Sequence, residues 1–67
     1  MKVIADKIKE IRQMNNYSQT DFGKLLNVSQ DTVSMWERGK ISPTIEHIYH
    51  ICLTFEVSAD YLLGLKV

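Results

Sequence analysis

Little in this sequence points to chemistry. It holds one cysteine, Cys52, so no internal disulfide can form and a reducing cytoplasm is the expected compartment. No apolar run approaches the roughly 20 residues of a membrane helix. The first residues, Met1 to Lys7, lack the charged-then-apolar shape of a secretory signal. No Gly-rich phosphate loop occurs, and Ser18, Ser29, His47 and His50 form no recognisable triad spacing. Neither charge is in surplus: eight Lys and Arg balance eight Asp and Glu. Phosphate binding rewards a basic surplus, so this balance predicts modest non-specific affinity for nucleic acid. With 67 residues the chain is one domain, 1–67, burying roughly 60% of its unfolded surface. A substrate pocket, which typically needs roughly 300 Å³ or more, has little room here. A membrane span and a disulfide scaffold are excluded, an enzyme is not expected, and no cofactor is called for.

What the chain does have is helical periodicity. Ile4, Ile8 and Ile11 recur at the spacing of one helical face, with Lys, Asp and Glu between them. They predict a first helix over roughly Val3 to Met14, closed by Asn15 and Asn16. Ser18 is placed to cap a second helix, with Asp21 as a weak capping box and Tyr17 and Phe22 as a hydrophobic staple. Ser29 repeats the device for a third helix, stapled by Val28 and Val33. Only Asn27 and Val28 separate the two. Asn27 falls where a left-handed residue would turn the chain sharply, and Gly23 would let the two helices approach closely. After Gly39 and a loop from Lys40 to Pro43, Thr44 caps a fourth helix whose apolar face is read as Ile45, Ile48, Ile51, Cys52 and Phe55. Ser58 caps a fifth, with Asp60 near its positive end. Leu62 and Leu63 are expected in the core, and Gly64 ends the helix. No strand alternation appears, so the fold class is all-α.

A helical wheel divides the third helix. Thr32, Val33, Trp36 and Glu37 fall on an inward arc, while Gln30, Asp31, Ser34, Met35 and Arg38 face outward. The inward arc makes Trp36 a core residue before a stacking platform. His47 and His50 are three apart, a spacing that can hold a metal, but nothing nearby completes a site and no metal is expected.

The run Ser18-Gln19, Phe22-Gly23, Leu26-Asn27-Val28-Ser29, Val33 and Trp36-Glu37-Arg38-Gly39 resembles the Cro/repressor-type (Xre-like) helix-turn-helix family. The likeness reaches back to Ile8, Ile11 and Arg12 and forward through Pro43, Ile48, Ile51 and Phe55 to the run from Val57 to Gly64. Gly23 stands for the usual alanine and Asn27 for the usual glycine, each meeting the same steric need. The resemblance implies a five-helix lambda-repressor-like domain, its helix-turn-helix core at 18–38, that binds double-stranded operator DNA as a homodimer. It implies base contacts from Gln30, Asp31, Ser34 and Met35, a phosphate contact from Gln19, and a pair between Arg12 and Glu37 joining helix 1 to helix 3. The residue types suit those roles: Gln pairs bidentately with adenine, Asp accepts from cytosine N4, and Met touches a thymine methyl. The negative charge of Asp31 is awkward beside phosphate, and the plain alternative for all four is a solvated surface. Ser18, Arg38 and Lys40 join Gln19 as expected backbone contacts.

One recognition helix reads too few base pairs to select a genomic site, so a dimer on a palindrome with half-sites about 10 base pairs apart is expected. Tyr49 and Leu53, one turn apart outside the core face of the fourth helix, are its expected contacts together with Leu65 and Val67. The competing reading is a protein-interaction module, such as the antitoxin of a toxin–antitoxin pair, with a toxin or regulator as partner.

Overall fold

The computed structural model describes residues 2–65. Five helices follow in order: α1 Lys2–Met14, α2 Gln19–Leu26, α3 Gln30–Glu37, α4 Ile45–Phe55 and α5 Ala59–Leu62. No strand occurs among the described residues, and no helix is long and apolar enough to cross a membrane.

Each of the last four helices starts at a hydroxyl cap. Ser18, Ser29, Thr44 and Ser58 hold extended backbone, and their oxygens accept from the N–H groups of Asp21, Thr32, His47 and Tyr61. Replacing such a cap with Ala typically costs about 1 kcal/mol. The helix ends are equally marked. Asn16, Asn27 and Glu56 take positive φ of 61°, 60° and 54°, each turning the chain out of a helix. Asparagine does this at little cost; glutamate does not, since the left-handed region costs an ordinary L-residue about 1–2 kcal/mol.

The core joins Ile4, Ile8 and Ile11 of α1 to Phe22, Leu26, Val33, Trp36, Ile51 and Leu62. Trp36 is fully enclosed at 2% exposure. Phe55 links the two rings expected to form the first staple. It stacks on Phe22 with centroids 5.5 Å apart and meets the edge of Tyr17 at 5.7 Å. At the α2–α3 corner a Cβ on Gly23 would lie 2.7 Å from the Val28 carbonyl oxygen, so only glycine fits without a shift.

Three sequence expectations need correction. Ile45, placed on the core face of α4, is 84% exposed. That face is centred on Ile51, and six residues at 3.6 per turn put Ile45 about 120° away. Leu63 packs only at the edge of the core while Leu62 fills it. An open groove of about 560 Å³, lined by Ile11, Met14, Phe55, Val57 and Tyr61 among others, exists where little room was expected. It forms because α5 is a single turn and leaves the end of α1 uncovered.

Candidate nucleic-acid interface

α3 presents the expected outward face. Gln30 and Asp31 are exposed in its first turn, and Ser34 and Met35 lie half-buried one turn further on. Val33 and Trp36 anchor the opposite side in the core. The face is therefore held rigidly by packing behind it. Arg38 and Lys40 are exposed just past the end of α3, where Gly39 turns the chain at φ 72° and the Lys40 N–H donates to the Met35 carbonyl at 2.9 Å.

Behind this face lies a polar network. Arg12 donates from Nε to Glu37 Oε2 at 2.7 Å and from Nη2 to Oε1 at 3.0 Å, a bidentate fork. Its remaining Nη1 donates to the Tyr17 carbonyl at 2.9 Å. The pair is enclosed, with side-chain exposures of 12% for Arg12 and 4% for Glu37. The hydrogen bond to Glu37 raises the Arg12 pKa further above its ordinary value; burial opposes this and the Coulomb attraction adds to it. The expected pair between helices 1 and 3 is thus formed.

The sequence did not reveal that the same carboxylate also holds Gln19. Gln19 Nε2 donates to Glu37 Oε1 at 3.1 Å, and Gln30 Nε2 donates to Gln19 Oε1 at 2.6 Å. A carboxylate can only accept, so Glu37 dictates which end of the Gln19 amide faces it. The oxygen of Gln19 is then turned toward Gln30, which must answer with its nitrogen. The second Nε2 proton and the Oε1 of Gln30 remain for another partner. No local sequence pattern links residues 12, 19, 30 and 37; only the crossing of α1, α2 and α3 brings them together.

Ser18 uses its oxygen for the α2 cap, at 3.0 Å from the Asp21 nitrogen, and keeps its proton to donate. Helix geometry leaves the first N–H groups of α2 and α3 without intrahelical partners, at the ends carrying partial positive charge.

Tyr49 and Leu53 are 60% and 62% exposed, and Ile45 continues their line at 84%. Spaced four apart, the three form one apolar stripe on the solvent side of α4. The i, i+4, i+8 spacing was the available signal for Ile45. Leu65 is also exposed, at 75%, and Val67 lies outside the described residues. Among the described residues, no three His, Cys, Asp or Glu side chains gather as a metal site. His47 instead lies against the Trp36 ring, centroids 5.1 Å apart, with Nδ1 3.0 Å from the Thr44 hydroxyl. Cys52 is half-buried, and burial raises its thiol pKa.

Comparison with known proteins agrees with this architecture. The chain is 31% identical over 61 residues to the HTH-type transcriptional regulator ImmR of Bacillus subtilis, covering 91% of this chain and 48% of that protein. It is 31% identical over 62 residues to antitoxin PezA of Streptococcus pneumoniae, covering 92% of this chain and 39% of the antitoxin. The chain therefore spans less than half the length of these two curated relatives. Among solved structures, the P22 c2 repressor in complex with a synthetic operator matches with a TM-score of 0.80 and 29% identity, over 88% of this chain and 89% of that one. The helix-turn-helix family model matches residues 8–62, and with the capped α2–α3 corner and the five-helix order, this chain belongs to the Xre-like helix-turn-helix family.

Proposed function

We propose that this chain is a sequence-specific DNA-binding transcriptional regulator, a repressor that grips a palindromic operator as a homodimer in the cytoplasm and carries out no catalysis. The observation that carries this reading is the orientation of Gln30. With one Nε2 proton given to Gln19, it offers a second donor and a carbonyl acceptor side by side at the start of α3. That pattern complements N7 and N6 of adenine in the major groove. Asp31 accepts from a cytosine N4, Ser34 bonds either kind of base edge, and Met35 packs against a thymine methyl. Ser18, Gln19, Arg38, Lys40 and the free N–H groups at the starts of α2 and α3 hold phosphates. Selection from a random-sequence duplex library tests binding and reads the operator together. Gln30→Ala then loses about 1–3 kcal/mol on the selected site and its preference at one base pair. An equal loss on every sequence would make Gln30 a backbone contact.

The dimer contacts in this reading are the α4 stripe of Ile45, Tyr49 and Leu53, together with Leu65 and Val67. So few side chains fall short of the roughly 1,200 Å² of a standard stable interface, and the free dimer is therefore weak and DNA completes it. Sedimentation with a cognate duplex should find two chains per operator, reduced by Leu53→Asp. One chain per operator at saturation overturns the dimer. The likeness to antitoxin PezA supports a second reading, in which the same fold also holds a toxin. Co-purification with a small partner encoded beside this chain distinguishes it.

A further inference from the structure

We propose that the groove between α1 and the α4–α5 connection docks an amphipathic segment of a partner protein, apolar on the inserted face and rich in Lys and Arg on its flanks. Ile11 and Phe55 form its buried and half-buried floor, Val57 and Tyr61 one wall, and Met14 its open edge at 73% exposure. No residue of α2 or α3 lines it, so an occupant there leaves the recognition helix free.

The polar side chains of the groove each have an intramolecular partner already. The Asn15 amide donates to the Ile11 carbonyl at 2.8 Å, and the Ser58 hydroxyl caps α5. Recognition therefore falls to the apolar floor and the charges around it. Those charges are unbalanced in a chain that is neutral as a whole. Glu10 accepts the Tyr61 hydroxyl, and Glu56 and Asp60 are exposed carboxylates on the connection and in α5. Against these three stands Lys7, whose ammonium lies 4.3 Å from the centre of the Tyr61 ring. Duplex DNA is repelled by such a rim. A second copy docking here about a two-fold axis would set the rim against itself. A small apolar molecule would leave the carboxylates unused. An amphipathic helix with cationic flanks answers both features, and the flexible Met14 can adapt to its side chains.

Two synthetic helical peptides of roughly four turns, 14 residues, test this, both with Leu at i, i+3, i+4 and i+7, one carrying Lys and the other Glu elsewhere. Amide chemical shifts of the full chain are followed as each is added. The Lys peptide should shift the amides of Met14, Asn15, Val57, Ser58 and Tyr61, and the Glu peptide should not. The combined variant Glu10→Gln, Glu56→Gln, Asp60→Asn, exposed positions that keep the fold, should weaken the Lys peptide about tenfold, the sum of three surface charge pairs. Equal binding of both peptides overturns the proposal. So do shifts confined to the α4 stripe or to Asp21 and Asp31, or groove shifts that grow with protein concentration alone and so identify a second copy.

Discussion

Two corners of this molecule are built from one plan and come out differently. At the first, α2 ends in left-handed Asn27, followed by Val28 and the cap Ser29; at the second, α4 ends in left-handed Glu56, followed by Val57 and the cap Ser58. In both, the valine N–H reaches back five residues, to the Gly23 carbonyl at 2.8 Å and the Cys52 carbonyl at 3.2 Å. The difference lies in what stands at that carbonyl. Gly23 has no side chain, so α3 closes down on α2 and its outward face is fixed. Cys52 carries a side chain, α5 is only one turn long, and a groove lined by Phe55, Val57, Ser58 and Tyr61 lies beside this corner. One turn motif thus precedes a tightly seated helix at the first corner and borders an open groove at the second, where the helix that follows is a single turn.

The largest expected effect breaks the first corner from behind. Glu37→Ala removes the acceptor of Arg12 Nε and Nη2 and of Gln19, leaving an enclosed guanidinium without its counter-charge. The cost is about 3 kcal/mol, read as a shift of the urea midpoint at unchanged slope. Released from Glu37, the Gln19 amide can flip, so the residual DNA binding should also lose any base-pair preference proposed for Gln30. A midpoint within a few tenths of wild type would mean the pair is solvated and the network does not orient Gln30. Glu10→Gln, the matching change at the exposed Tyr61 contact of the second corner, should leave the midpoint where it was.

Next in size is Gly23→Val. A Cβ already meets the Val28 oxygen at 2.7 Å and backbone atoms of Ser29 at 3.3 Å. Backbone cannot swing aside as a flexible side chain can, so the corner must open, at about 1–3 kcal/mol. Heteronuclear shifts should then spread through α3 while those of α5 stay still. Cys52→Ala, at the equivalent place in the second corner, deletes one half-buried sulfur and should cost less. An order reversed from this would show that α5, not α3, is the tightly seated helix.

How much of this was legible beforehand follows from the range of each interaction. The hydroxyl caps, the left-handed Asn27 and the need for glycine at 23 are local rules, carried by residues within a few positions of one another. For the Arg12–Glu37 pair, the inward arc showed that Glu37 needs a partner, but family resemblance named it, because 25 positions separate the two. The chain from Glu37 through Gln19 to Gln30 was not reachable at all. Amide polarity is decided by which acceptor the fold brings near, and no spacing encodes that. Ile45 was misplaced because an apolar residue at the first position of a helix fits two faces on a wheel until the centre of the core is known. Glu56 was invisible for the opposite reason: glutamate is no signal for a left-handed turn.

That last residue gives the smallest effect and the sharpest comparison. Glycine gains in the left-handed region because it has no Cβ to clash, but it loses more chain entropy on folding, roughly 0.5–1 kcal/mol. For Glu56, at φ 54°, relief of about 1–2 kcal/mol exceeds that loss, so Glu56→Gly should stabilise the chain by about 0.5–1 kcal/mol. For Asn27, at φ 60°, the relief is smaller because asparagine tolerates this conformation, so Asn27→Gly should be close to neutral. The two substitutions have the same chemistry at the same turn position, and only the residue replaced differs. Thermal unfolding of both variants reads the difference, which should be a few degrees in favour of Glu56→Gly. Equal shifts would mean that Glu56 is not strained and that the left-handed turn of the second corner is held as cheaply as the first.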